Sequence, residues 1–208
     1  MIGMFGLNFN YSEKKFCYAQ RNLAFNGYHY EKCQNCGRSI AKLVPTKQMD
    51  EFVVEGGMQY PDFLDYRGAG INFLVSNRVL QAFIKNGITG YTQAVKVPIR
   101  REHDRPHDNQ GVYYNLLDVV GRVDFDLKTM GLKRKNICPF CEQFDWSRQR
   151  LSIIKTVLDM NTWDKSDLCR ISSFPGFVVC SEKLKSIIDD YSFSGVVFQN
   201  EDRIFQIQ

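Results

Sequence analysis

The apolar positions of this chain fall into two recurring shapes: short unbroken runs, and stretches in which they return every three or four residues. FLVS at 73–76 and FVVC at 177–180 are four-residue runs that predict buried strands. Each is followed by a helical spacing. After the first, Val79, Leu80, Phe83 and Ile84 share one face, with Asn77 as the expected N-cap and Gly87 as the C′ glycine. After the second, Ser181 takes the cap position and Leu184, Ile187 and Ile188 the buried face. A further strand closes each stretch, YTQAVKVPI in the first and GVVFQ in the second. The pattern is therefore strand–helix–strand, twice.

Other segments read differently. Residues 1–30 are rich in Phe, Tyr and Asn and open with a candidate strand. REHDRPHDNQG at 101–111 is polar and broken by Pro106 and Gly111, which predicts an exposed loop and the best candidate linker. YYNLLDVVGRVDFDLKTM at 113–130 predicts a strand or two. SRQRLSIIKTVLDM at 147–160 places Leu151, Ile154 and Leu158 at helical spacing behind a capping Ser147, which predicts an amphipathic helix.

The two strand–helix–strand stretches align with each other. Phe73, Val75, Leu80 and Ile84 fall on Phe177, Val179, Leu184 and Ile188 at an offset of 104, and a one-residue insertion brings Gly90 onto Gly195. Cys33 and Cys36 lie 105 residues before Cys138 and Cys141. Asp62 in YPDFLDYRG stands opposite Asp167 in WDKSDLCRI. Matches at nearly one offset indicate an internal repeat. The expected fold class is α+β, with internally duplicated strand–helix–strand units over 1–104 and 105–208 packed as one pseudo-symmetric assembly.

Composition narrows the class. Hydrophobic residues make up 44% of the 208 and charged ones 24%, as in a globular protein with a real core. The net charge is +4, with 13 Lys and Arg against 9 Asp and Glu in residues 1–104 and 14 against 14 thereafter. That excess is too small to indicate nucleic acid by itself. No run approaches the length of a membrane span or of a signal sequence, so the expected compartment is the cytoplasm, without a membrane partner.

Seven cysteines in such a chain do not predict disulfides. Four of them form two CxxC pairs, Cys33/Cys36 in KCQNCG and Cys138/Cys141 in ICPFCE. Four thiolates satisfy a tetrahedral structural zinc site, and two intervening residues let both sulfurs of a knuckle reach one ion. Gly37 suits the tight turn after the first pair, whereas Glu142 occupies the equivalent place in the second. Zinc held by Cys33, Cys36, Cys138 and Cys141 is the expected cofactor. A redox CxxC, and two separate pairs of plain thiols, are the other readings.

Two CxxC knuckles about a hundred residues apart, the first followed by glycine, together with Trp163–Leu168 (W-x-x-x-D-L) and the FLVS and FVVC strands, resemble the double-CXXCG motif proteins of bacteria. The resemblance runs from about residue 29 to residue 201. Its better understood members are immunity proteins, which implies a non-enzymatic protein that binds and neutralises a cognate toxin. Glu142 and Cys169 depart from the family pattern.

The residues themselves leave little room for catalysis. The histidines are 29, 103 and 107, and Pro106 breaks the H-x-x-x-H spacing of the last two. No G-x-S-x-G, P-loop or G-x-G-x-x-G is present. The alternative to toxin binding is a zinc-ribbon nucleic-acid-binding or regulatory protein, for which Lys32, Arg38 and Lys42 at one knuckle and Lys133, Arg134 and Lys135 at the other are the candidate contacts. For a toxin, the expected anchors are Arg105, His107, Asp108, Tyr113 and Tyr114, in and just after the polar loop.

Overall fold

The structure, a computed structural model, describes residues 3–9, 14–19, 28–43, 52–64, 72–101, 111–141, 145–146 and 155–204. Along the first part of the chain come β1 (Met4–Phe9), β2 (Cys17–Ala19), β3 (Tyr28–Lys32), β4 (Ser39–Leu43), β5 (Phe52–Gly56), β6 (Phe63–Leu64), β7 (Asn72–Val75), helix α1 (Asn77–Lys85) and β8 (Tyr91–Arg101). Then follow β9 (Tyr113–Val119), β10 (Gly121–Phe125), β11 (Arg134–Lys135), β12 (Asp145–Trp146), β13 (Leu158–Asp159), β14 (Leu168–Ile171), β15 (Phe174–Ser181), α2 (Glu182–Asp190) and β16 (Val196–Asn200).

These strands build two six-stranded sheets, ordered β2-β5-β8-β9-β7-β6 and β13-β10-β14-β15-β1-β16, and two two-stranded ribbons, β3-β4 and β11-β12. The expected α+β class is thereby corrected. The fold is β-rich, and the two α-helices among the described residues are nine residues each. Nor are there self-contained strand–helix–strand units. The strands flanking α1, β7 and β8, do not pair with each other; β9 lies between them, antiparallel to both. The strands flanking α2, β15 and β16, are likewise separated by β1. The gap that α1 crosses is filled by β9, the strand after β8, and the gap that α2 crosses by β1, from the far end of the chain.

What does repeat is a set of contacts, and the two halves exchange them. Phe63 pairs with Val75, and Leu168 with Cys180. Val75 pairs with Asn115 of β9, and its counterpart Cys180 with Phe5 of β1. The amide of Phe63 donates to Ser194 across the halves, at 2.9 Å, and the amide of Leu168 donates to Thr89, at 3.1 Å. The helix caps obey the same relation. Ser76 accepts from the Val79 amide and Ser181 from the Leu184 amide, so the cap of α1 is Ser76 rather than Asn77. One spacing, the 105 residues that separate the cysteines, covers the caps, the strands and the glycines without an insertion. The counterpart of Leu184 is Val79, not Leu80, and Ile84 is 58% exposed rather than inward.

The shared core explains the unbroken apolar runs. Val75, Leu117, Val178, Cys180 and Leu7 face a cluster that both helices enter through Val79, Phe83, Leu184 and Ile188. Their strand neighbours point the other way, Leu74 and Leu116 into a second cluster with Phe52 and Tyr114, and Met4 and Val179 into a third with Phe125 and Ile171. Strands covered on both faces need apolar side chains at successive positions.

Two sequence readings end differently. The amphipathic helix expected over 147–160 is not borne out at its end, where Leu158 and Asp159 form a strand on β10; residues 147–154 lie outside the described residues. Of the loop expected over 101–111, Arg101 ends β8, and 102–110 lie outside the described residues.

Candidate metal centre

The first knuckle is the tip of the β3-β4 hairpin, whose register runs from Tyr28↔Leu43 to Lys32↔Ser39. The Cys33 amide donates to the Arg38 carbonyl and the Gly37 amide to the Cys33 carbonyl, both at 2.8 Å. Gly37 has φ +72°, a conformation that favours glycine and lets the chain turn back after Cys36. The second knuckle follows β11, whose register with β12 is Arg134↔Trp146 and Lys135↔Asp145. It has no glycine at the turn among the described residues, and Glu142 lies outside them.

Polar contacts lock the two tips together. Arg38 of the first reaches the Asn136 carbonyl at 3.0 Å and the Asp145 carboxylate at 2.9 Å. Asn136 also donates to Asp145, at 2.9 Å. The Asn35 side-chain amide donates to Cys138 Sγ at 3.3 Å. None of these roles is legible in the sequence. Arg38 there is one more surface cation, and Asn35 and Asp145 carry no motif.

The result is a cluster of four thiols. Cys33 Sγ lies 3.8 Å from Cys138 Sγ, and Cys36 Sγ lies 3.6 Å from Cys141 Sγ. All four sulfurs are within 4.8 Å of one another, close enough to hold a metal ion. A tetrahedral ion with metal–sulfur bonds of about 2.3 Å, the zinc value, sets its sulfurs about 3.8 Å apart. The donor set therefore fits, and four protein ligands leave no open position for a substrate. Cys33 and Cys138 are buried, Cys36 is exposed and Cys141 intermediate.

The electrostatics separate Cys33 and Cys138 from the thiols outside the cluster. The Asn35 side-chain amide, then the backbone amides of Cys141 and Phe140, bring the Cys138 pKa down to about 6. The Cys36 and Asn35 amides lower Cys33. Burial does the opposite elsewhere, pushing Cys17 up to about 11 and Cys169 up to about 12. Thiolates bind metal and buried neutral thiols do not.

The expected partner residues divide. Tyr113 is 43% exposed, with Lys96 Nζ 4.3 Å above its ring. Tyr114 is buried, and its hydroxyl donates to the Pro61 carbonyl, so it is a core residue rather than a partner contact. Arg105, His107 and Asp108 lie outside the described residues, as does His103. The sequence matches no protein-family model and no curated protein.

Proposed function

We propose that this protein is a non-enzymatic immunity protein of the double-CXXCG kind, which binds a cognate protein toxin and blocks it, and that its four cysteines hold one structural zinc ion. The observation that carries this reading is the convergence of two knuckles 105 residues apart into a single closed set of thiols. A closed set serves structure rather than turnover. It makes a rigid platform of two hairpin tips, and such platforms suit recognition. At the second tip Phe140 is 81% exposed and Ile137 57%, apolar side chains of the kind that anchor protein partners.

Lys32, Lys133 and Lys135 are exposed at the same tips and favour nucleic acid as the second reading. Against it, Arg38 and Arg134 are engaged by Asp145 and Asp124. The test is purification of the full chain with the toxin encoded beside its gene. A stoichiometric complex that protects cells, weakened tenfold or more by Phe140→Ala or Tyr113→Ala with zinc content unchanged, supports the proposal. Absence of a complex, with binding to nucleic acid that falls steeply with salt, supports the second reading.

A further inference from the structure

The four thiols are chemically unequal. Cys33 and Cys138 are 4% and 3% exposed and face each other on the inner side of the cluster. Cys36 is exposed, Cys141 is half-buried, and their sulfurs lie 3.6 Å apart. An oxidant arriving from solvent meets Cys36 first, and Cys141 is the thiol set against it from the opposite half.

We infer that Cys36 and Cys141 are an oxidation site for hydroperoxides, at which the metal staple between the two halves is replaced by a disulfide joining the same two tips. The chemistry balances with hydrogen peroxide as oxidant. Cys36 Sγ attacks one peroxide oxygen; the S–O bond forms, the O–O bond breaks and hydroxide leaves. The Cys141 thiolate then attacks the sulfenic sulfur; the S–S bond forms, the S–O bond breaks and a second hydroxide leaves. Two protons from solvent convert both hydroxides to water. The two sulfurs give up two electrons, and the peroxide is reduced.

The geometry favours this pair over closure within a knuckle. The sulfurs must move from 3.6 Å to about 2.05 Å, a short approach between two hairpin tips. Closure within a knuckle instead draws on Cys33 or Cys138, the two thiols least open to solvent, and the Asn35 amide also holds Cys138 at 3.3 Å. With Cys36 and Cys141 consumed, two thiolates remain, too few to retain a tetrahedral ion. The tips stay together nonetheless, because the new bond spans the same 105 residues and Arg38 still bridges to Asp145.

This inference rests on the zinc reading, and the experiment separates the two. Zinc content of the full chain, purified without chelator, is measured first and tests that reading alone. The protein is then treated with equimolar hydrogen peroxide, blocked with an alkylating agent and mapped by mass spectrometry without reduction. The expected result is a cross-linked peptide pair containing Cys36 and Cys141, loss of one zinc per chain to a chromogenic chelator, and reversal by a dithiol. The melting temperature of the oxidised form should stay above that of reduced, chelated protein. Cys36→Ser should abolish the cross-link. A Cys33–Cys36 or Cys138–Cys141 disulfide, or four thiols left reduced, would overturn the inference even in protein that carries zinc.

Discussion

At the scale of single residues, the two halves meet on carboxylates and glycines that reach into each other. Asp62 accepts from Ser76, Arg78 and both the amide and the hydroxyl of Ser194; Asp167 accepts from Ser181, Lys183 and both the amide and the hydroxyl of Thr89. Burial raises the pKa of Asp62, but the hydrogen bonds from Arg78, the Ser194 amide and Ser76 outweigh it and hold the carboxyl below its usual range. A folded-state pKa below the unfolded value gives stability that is present above the unfolded pKa, about 4, and lost as pH falls through the folded one. Urea unfolding of Asp62→Asn should show a smaller loss of stability between about pH 5 and pH 2 than the parent. A parallel slope in both proteins would remove Asp62 from the acid response. Gly90 and Gly195 have φ +94°, and a Cβ there would lie 2.0 Å from the Leu168 carbonyl and 2.2 Å from that of Phe63. Ala at either position should cost at least about 1–3 kcal/mol, read from the denaturation midpoint. The sequence displays both glycines and both aspartates as matched pairs. It does not display that each member serves the opposite half, because a repeat alignment reports equivalence and not contact.

At the scale of elements, helix capping and strand burial are mostly legible, with errors of one position. Asn77 and Ser76 are both good caps by residue type. Ser76 is chosen because its hydroxyl also donates to Asp62, as that of Ser181 does to Asp167. Ser76→Ala should cost about 1 kcal/mol. Ser181→Ala should cost more, toward about 3 kcal/mol, since Ser181 is buried and its loss strips a bond from a buried carboxylate. Midpoint shifts at constant m-value would measure both, and equal costs would contradict the difference in burial. β9 is a strand by its apolar pattern, but its place between β7 and β8 is a tertiary fact. Leu117, fully buried at its centre, should lose about 2–5 kcal/mol on truncation to Ala.

At the scale of the whole molecule, the strand exchange makes each half incomplete. Without β9 the first sheet falls into two pieces, β2-β5-β8 and β7-β6, and without β1 the strand β16 has no neighbour. Residues 1–104 and 105–208 expressed separately should each lack a cooperative unfolding transition, and mixing them should restore one. Two independently folding halves would sink this account. The four-cysteine cluster ties the same halves at a second place, distinct from the shared core. Chelation should therefore lower the melting temperature while leaving the chain folded, unlike a small zinc finger, whose folding depends on its metal. Cys138→Ser should have the same effect and cut bound zinc to near zero. Among the described residues no helix is long and apolar enough to cross a membrane, in keeping with a core built from short elements.

The sequence alone determined which four cysteines cluster, the strands of the two apolar runs with the helices after them, and which positions of the two halves are equivalent. CxxC spacing is a local chemical requirement, and apolar runs and helical spacing follow from local geometry, so each leaves its mark in neighbouring residues. Only the tertiary structure decided that β1 and β9 cross to the opposite halves, that Asn35, Arg38 and Asp145 hold the knuckles together, and that Tyr114 is core while Tyr113 is surface. Strand pairing depends on hydrogen bonds between backbones, which every residue but proline offers alike. Partners more than a hundred positions apart are therefore selected by the packing of the whole, and no segment of the chain records the choice.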